Sequence, residues 1–179
     1  MRYVLASGSA IRHELLMHAG IESRAVPSNV DETPIKVVCR ENFLTAQQTA
    51  LKLAHAKALD VASREPGALV IGADQILDCE GQWLGKPLDR RDAEDQLRAL
   101  NNRTHQLVTA VCILRNCDEI WNHCEVATLS MVSLDETSIA RYLDGVGEAA
   151  FQSVGAYQVE GHGIRLFDRI DGDFFSILG

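Results

Sequence analysis

Near the N-terminus of this 179-residue chain, a short apolar run is followed by small residues and an arginine. The segment Leu5–Arg12 predicts a strand, a turn of small residues at Ser7-Gly8-Ser9 and the start of a helix. The first turn of a helix has free backbone N–H groups and a positive dipole end, which bind anions readily. Arg12 in that turn would add a bidentate contact to a phosphate. The alternative is an ordinary helix start with Ser9 as its N-cap.

Lys57 lies inside the apolar stripe of a predicted helix. The stripe consists of small and aliphatic residues at helical spacing: Ala50, Leu53, Ala54, Ala58 and Val61. A lysine on such a face either extends its ammonium group to solvent, which is the commoner case, or meets an anion. Because the chain contains only four lysines, one on the inward face favours the second interpretation.

Asp74 ends the apolar run Leu69–Ala73, which predicts a buried strand. The carboxyl end of a buried strand is where open α/β sheets build their sites, although the same aspartate also suits the start of a turn. Lys86 is held extended by Pro87 and is placed to reach across a cleft, with an ordinary surface lysine as the alternative. A carboxylate and a second lysine thus join the candidate residues.

A pair of adjacent carboxylates, Asp31 and Glu32, precedes Pro34 in a segment that we expect to be irregular. Hard cations such as Mg²⁺ prefer oxygen ligands of this kind, while a solvated acidic turn is the commoner role. Together with Arg12, Lys57 and Asp74, the pair makes a set of residues that metal-assisted phosphoanhydride chemistry requires.

The elements that must position these residues alternate between strands and helices. The predicted helices are 10–19, 41–63, 92–100 and 136–144, and the predicted strands are 3–6, 69–73, 75–79, 82–84, 107–114, 125–132, 164–170 and 174–178. Such alternation predicts an α/β protein with a mixed, twisted sheet flanked by helices.

Composition excludes several classes of function. Seventeen Lys and Arg against twenty-five Asp and Glu give a net charge of −8, which disfavours a grip on duplex DNA or RNA. No apolar run is long enough to span a membrane, and the N-terminus lacks the apolar region of a signal peptide, so we expect a cytoplasmic protein. The five cysteines and six histidines show no CxxC or HExxH spacing, and no GxSxG elbow occurs. Buried free thiols are therefore favoured over a disulfide set or a zinc site.

Taken in order, the motifs resemble those of the Maf family of nucleoside triphosphate pyrophosphatases over nearly the whole chain. The matching segments are 5–9 with Arg12, Asp31-Glu32-Thr33-Pro34, Ala56-Lys57-Ala58, Ile71-Gly72-Ala73-Asp74-Gln75, Gly85-Lys86-Pro87, Thr104-His105, Gly155-Ala156-Tyr157, residues 160–164 and Gly172-Asp173. The resemblance implies one domain over residues 1–179, with a Maf/ITPase-like fold of two lobes around a nucleotide-binding cleft.

The resemblance also implies a reaction and its residues. Members of the family hydrolyse the α–β phosphoanhydride of nucleoside triphosphates to the monophosphate and pyrophosphate, with a divalent cation such as Mg²⁺ or Mn²⁺. By this resemblance Asp74 is the general base or the carboxylate that organises the metal, and Glu32 helps to hold the metal. Arg12, Lys57 and Lys86 would neutralise the triphosphate, and Ser7 and Ser9 would line the phosphate turn.

Three positions bear on the base that such an enzyme selects. Gln75 and Glu160 match the subgroup that resembles 7-methyl-GTP pyrophosphatases, whereas the dTTP/UTP subgroup has Thr and Gln there. A carboxylate at Glu160 would accept the guanine N1–H and N2–H. Ile11 departs from the subgroup, which often has an aromatic residue able to stack on the cationic base. His13 stands where relatives have a second basic residue, so one phosphate contact would depend on pH.

Other functions stay open at this stage. The implied partner is a nucleoside triphosphate, and a homodimer is inferred from the resemblance alone. One alternative is a pyrimidine (dTTP/UTP) pyrophosphatase of the same family. Another is a non-catalytic, nucleotide-binding regulator of cell division. A third is a structural α/β domain without a site, which is disfavoured because a lysine on the inward face of a helix would lack an anionic partner.

Overall fold

Strands and helices alternate along residues 2–179, which the computed structural model describes. The strands are β1 (Tyr3–Leu5), β2 (Ser23–Ala25), β3 (Leu69–Cys79), β4 (Gln82–Leu84), β5 (Thr104–Arg115), β6 (Asp118–Met131) and β7 (Phe167–Asp171). The helices are α1 (Ala10–His18), α2 (Glu32–Glu41), α3 (Ala46–Ala62), α4 (Arg90–Leu100), α5 (Glu136–Val146) and α6 (Phe174–Leu178). Short 3₁₀ turns occupy Gly147–Gln152, Val154–Ala156 and His162–Leu166.

The strands form one mixed sheet flanked by helices, in the order β2-β1-β3-β5-β6-β7, with β4 paired to β3. β1 runs parallel to both β2 and β3, whereas the β3–β4 and β6–β7 pairs are antiparallel. The predicted α/β class with a mixed sheet is therefore confirmed.

The chain divides into two compact units. The first comprises the described residues up to Gln75, together with Val108–Glu125 and Gly179. The second comprises Ile76–Leu107 and Val126–Leu178. The expectation of a single domain over the whole chain stays a prediction.

In the first unit, α3 packs closely against β3. The predicted apolar stripe of the helix is completely buried: Ala50, Leu53, Ala54, Ala58 and Val61. A methyl group added at Gly72 of β3 would lie 2.2 Å from the backbone oxygen of Ala54 and 2.7 Å from the methyl of Ala58. Only glycine permits this approach, which sets the distance between β3 and the neighbouring face of α3.

The core of the second unit consists of aliphatic side chains around one aromatic group. Leu77 of β3, Leu97 and Leu100 of α4, and Ile139 of α5 are at most 1% exposed and belong to the same cluster. Tyr157 packs into this cluster, with its ring centroid 4.8 Å from that of Phe167 in an edge-on arrangement.

Several elements differ from the sequence-based expectations. β2 was not predicted, and the helical pattern over 41–63 is interrupted, because Thr45 and Gln48 form a capping box that starts α3 afresh. The predicted strand 164–170 begins as a 3₁₀ turn and only then becomes β7. The predicted strand 174–178 is wrong: it is α6, because the Asp173 carboxylate accepts hydrogen bonds from the backbone and side chain of Ser176 and so caps a helix.

Candidate functional site

The turn after β1 is organised by the Ser7 side chain. Ser7 is 9% exposed, and its Oγ accepts a hydrogen bond from the backbone N–H of Ser9 at 3.1 Å. Ser9 occupies the N-cap position of α1, but in the described part of the chain its own side chain makes no capping hydrogen bond. The predicted strand, turn and helix are thus present, and the hydroxyl that closes the turn belongs to Ser7.

Arg12, in the first turn of α1, binds backbone oxygens of its own unit. Its Nη1 donates to the carbonyl oxygen of Ala73 at 2.8 Å and to Ser7 Oγ at 3.5 Å, and its Nε donates to the backbone oxygen of Gly179 at 3.2 Å. Burial lowers the pKa of Arg12, while the charges of Asp74 and Glu32 oppose that shift. These contacts hold the Arg12 guanidinium next to Ala73, the residue before Asp74.

Glu32 is the first residue of α2, and this corrects the expectation of an irregular acidic segment. Asp31 is the N-cap: its carboxylate accepts the backbone N–H of Thr33 at 2.9 Å, as an aspartate in that position often does. Pro34 lies in the first helical turn, where its missing N–H costs nothing. The two adjacent carboxylates therefore have different roles. Asp31 caps α2, and Glu32 forms an ion pair with Lys57.

Lys57 of α3 joins two carboxylates. Its Nζ lies 2.5 Å from Asp74 Oδ1 and 2.6 Å from Glu32 Oε1, and its side chain is 15% exposed. The inward lysine thus meets anions of its own chain rather than solvent, as its place in the apolar stripe of α3 favoured. One ammonium group holds a helix-end carboxylate and a strand carboxylate together.

Asp74 lies within β3 rather than at the end of a strand, which corrects the sequence-based expectation. The strand continues through Gln75 to Cys79, so the aspartate is 4% exposed and held in regular backbone. Its Oδ1 accepts from Lys57, whereas Oδ2 is buried and has no hydrogen-bond partner among the described residues. A buried carboxylate oxygen without a partner is costly in a folded protein, which makes Asp74 a candidate functional residue.

The two carboxylates differ in their electrostatics. Burial raises the pKa of Asp74, with the nearby charge of Lys57 opposing the shift. Partial burial would also raise the pKa of Glu32, but the hydrogen bonds and charges of Lys36 and Lys57 outweigh it and lower that pKa to about 2. Environments that push two neighbouring carboxyl groups in opposite directions are typical of sites in which they have different tasks.

Gln75 and Ile11 also belong to the first unit. The Gln75 side chain follows Asp74 on β3, and its Nε2 donates to Thr109 Oγ1 at 2.9 Å, which fixes the orientation of the amide. Ile11 is half-buried on α1.

Thr109 and Lys36 were missed by the sequence analysis. The spacing of four residues between Glu32 and Lys36 would have indicated an ion pair had the start of α2 been recognised.

His13 does not face a phosphate turn. Its Nε2 donates to the backbone oxygen of Ser23 in β2 at 2.9 Å, so the ring links α1 to the edge strand. The expectation that His13 supplies a pH-dependent phosphate contact therefore has no support in this geometry.

Lys86 and Glu160 belong to the second unit and are exposed there. Lys86 follows the β3–β4 hairpin and precedes the buried Pro87. Glu160 lies in a tight turn in which the N–H of Gly161 donates to the oxygen of Gln158 at 3.2 Å. A methyl group at Gly163 would lie 2.4 Å from that oxygen, so the turn requires glycine at this position.

His105 makes a buried polar contact in the second unit. The ring is 2% exposed in β5, and its Nε2 lies 2.7 Å from the Tyr157 hydroxyl. Burial lowers the pKa of His105 to about 4, so the ring is neutral at pH 7.

The five cysteines are free, three of them buried. Within residues 2–179, no group of three or more His, Cys, Asp or Glu side chains is placed to hold a metal ion.

The fold and this cluster define a class of protein: an α/β protein that gathers two carboxylates and two cations, Lys57 and Arg12, beside a strand–turn–helix. The family model described as "Maf-like protein" matches residues 2–179. The chain belongs to the Maf family.

Curated relatives match along the whole chain. A protein of Mesorhizobium japonicum named 7-methyl-GTP pyrophosphatase is 43% identical over 99% of this chain and 89% of its own length. A protein of Brucella abortus with the same name is 44% identical over 100% and 90%. A protein of Nitrobacter winogradskyi named nucleoside triphosphate pyrophosphatase is 48% identical over 98% and 86%. In the described part of the chain, no helix has the length and apolarity needed to cross a membrane.

Proposed function

We propose that this protein is a metal-dependent nucleoside triphosphate pyrophosphatase that hydrolyses the α–β phosphoanhydride and releases the monophosphate and pyrophosphate. The observation that carries the proposal is the Lys57 bridge, which holds Asp74 and Glu32 together while Asp74 Oδ2 stays buried with no partner within residues 2–179. Membership of the Maf family and the names of the relatives support the same reaction.

Three cations would neutralise the triphosphate. Arg12 is held at the turn after β1, where Ser7 and Ser9 arrange the backbone for phosphate oxygens. Lys57 already balances two carboxylates, and Lys86 is the third cation of the proposal. Stabilising the charge that develops on the leaving pyrophosphate is the main contribution such groups make to the rate.

The residues present fit a divalent cation. Glu32 and Asp74 offer hard oxygen donors, and the orphaned Oδ2 is an unused ligand position. Mg²⁺ commonly uses one or two protein carboxylates together with substrate phosphates and water, so a cluster of three acidic side chains is not needed. When bound, the cation supplies Lewis-acid stabilisation of the phosphate oxygens.

Asp74 would orient the attacking water. Water attacks the α-phosphorus, the bond to the α–β bridging oxygen breaks, and its electron pair leaves with pyrophosphate. The proton released from the water passes to Asp74 Oδ2 if the residue acts as general base, and burial, which raises its pKa, suits that role. As a metal-organising carboxylate, Asp74 would instead fix the cation and leave the proton to solvent.

The narrower proposal is a preference for 7-methyl-GTP. Gln75, fixed by Thr109, would contact the base or sugar, and the exposed carboxylate of Glu160 would accept the guanine N1–H and N2–H. Ile11 would pack on the base without a cation–π contact. The homodimer and the cytoplasmic location that the resemblance implies stay predictions.

The test measures pyrophosphate release with Mg²⁺ from 7-methyl-GTP, GTP, dTTP, UTP, CTP and ATP. Asp74→Asn is the inactive variant and Asp118→Asn, at the start of β6, is the matched control. We expect the highest turnover on 7-methyl-GTP and its loss only in Asp74→Asn. Preference for dTTP or UTP would contradict the choice of base alone. Binding of triphosphate without turnover would contradict the enzyme and favour a nucleotide-binding regulator.

Repeating the assay over a range of Mn²⁺ concentrations separates the two roles of Asp74. If the residue is a metal ligand, residual activity of Asp74→Asn should rise as Mn²⁺ is increased. If it is the general base, added Mn²⁺ should restore nothing, because the proton acceptor is missing.

A further inference from the structure

The carboxylate of Glu32 is held from two sides. Lys57 of α3 lies 2.6 Å from Oε1, and Lys36 of α2 lies 2.7 Å from Oε2. Lys36 stands four residues after Glu32 on the same helix, with the glutamate on the N-terminal side, which is the favourable order for such a pair. Both oxygens of Glu32 thus have an ammonium partner.

A single contact would leave this carboxylate poorly oriented. The terminal torsion of a glutamate is broad, and Glu32 is the first residue of α2 with a side chain 34% exposed, so packing restrains it weakly. Lys57 also divides its ammonium group between Glu32 and Asp74. A second ammonium on the opposite oxygen fixes the plane of the carboxylate.

We propose that Lys36 is a positioning residue of this site, which holds the Glu32 carboxylate in the orientation that faces Lys57 and Asp74. The inference rests on the proposed pyrophosphatase function, in which Glu32 and Asp74 act together. Lys36 acts through Glu32 and does not itself touch the reacting atoms. Its role is therefore distinct from that of the phosphate-neutralising cations.

The pair contributes little to the stability of the fold. The side chains of Lys36 and Glu32 are each about one-third exposed, and ion pairs of this exposure are weak. Lys36→Met should therefore fold normally, with a change in melting temperature of about 2 °C or less. A large effect on activity without an effect on stability would come from orientation.

The experiment compares Lys36→Met, the rescue variant Lys36→Arg, and Lys52→Met as the control on an exposed face of α3. Each is measured in the natural chain and in a Glu32→Gln background. We expect Lys36→Met to lower kcat on the order of tenfold to a hundredfold with KM nearly unchanged, as misplacement of a catalytic group does. Lys36→Arg should restore most of the rate, and Lys36→Met should add no loss once Glu32 is Gln.

Other outcomes overturn the inference. A higher KM with unchanged kcat, or a full further loss in the Glu32→Gln background, would make Lys36 a direct phosphate ligand. An unchanged kcat would give it no role.

A crystal structure of Lys36→Met supplies a readout that needs no turnover. The Glu32–Lys57 ion pair should open beyond about 4 Å, the usual limit for such a contact, and its persistence would contradict the inference. If the natural chain releases no pyrophosphate, the proposed function fails, while this structural comparison still decides the role of Lys36.

Discussion

The ammonium of Lys57 lies 2.5 Å from Asp74 Oδ1, so the central ion pair of the site joins the middle of a helix to the middle of a strand. Both side chains are largely shielded from water. The same ammonium group also forms an ion pair with Glu32.

Removing the ammonium should damage both the fold and the reaction. Lys57→Met leaves Asp74 buried without its cation, and breaking a buried pair costs about 3 kcal/mol. Part of that cost is relieved if Asp74 takes up a proton, so we expect a loss of about 2 kcal/mol in urea unfolding and a large fall in kcat. The control Lys52→Met, on an exposed face of the same helix, should stay within about 0.5 kcal/mol.

Gly72 should be sensitive to one added methyl group. In Gly72→Ala the new carbon would meet the Ala54 backbone oxygen, 2.2 Å away, so α3 must move off β3 and carry Lys57 from Asp74. We expect a loss of about 2–3 kcal/mol in unfolding free energy together with reduced turnover. Gly145→Ala is the control: its nearest neighbour is at an ordinary 3.7 Å, so the change should be neutral or slightly stabilising.

Glu32 should govern the need for a divalent cation. Glu32→Gln keeps the size of the side chain and removes a charged oxygen donor, so half-maximal activity should require roughly tenfold more Mg²⁺. The measurement is initial rate against Mg²⁺ at saturating nucleotide. Glu41→Gln, at the exposed end of the same helix, should leave the curve in place. An unshifted curve for Glu32→Gln would remove this residue from the metal site.

The buried His105 should make stability depend on pH. Burial lowers its pKa from 6.5 to about 4, so between these values the unfolded chain binds a proton that the folded protein excludes. The free energy of unfolding is therefore at its full value above pH 6.5. It decreases as pH falls towards 4, by about 3 kcal/mol at most, because only the unfolded chain takes up the proton. Urea unfolding at several pH values should show a smaller fall in His105→Gln, and equal slopes would contradict the assignment.

Selectivity for the base should follow two positions. The double variant Gln75→Thr, Glu160→Gln carries the residues of the dTTP/UTP subgroup, so the ratio of kcat/KM for 7-methyl-GTP over dTTP should fall by about tenfold or more. The Gln75 amide is held by its hydrogen bond to Thr109. The single variants Gln75→Thr and Glu160→Gln measure the contribution of each position to selectivity. An unchanged ratio would show that other residues read the base.

Local patterns predicted many elements well. The periodicity over 50–61 located the buried face of α3, the apolar run at 69–73 located the start of β3, and the helical pattern over 136–144 located α5. These features depend on neighbours in sequence, which periodicity and capping describe directly. The errors occurred where a short polar contact decides the backbone, as with Asp31 at the start of α2 and Asp173 at the start of α6.

The sequence by itself determined that a lysine lies on the inward face of α3 and that an aspartate follows the apolar run of β3, because side-chain spacing fixes both. The Glu32–Lys36 pair is also local to one helix, but it was missed because the start of α2 at Glu32 was not recognised. Only the tertiary structure decided that Glu32, Lys57 and Asp74 meet. That meeting depends on how closely α3 approaches β3 at Gly72, a packing distance between elements that no local pattern encodes.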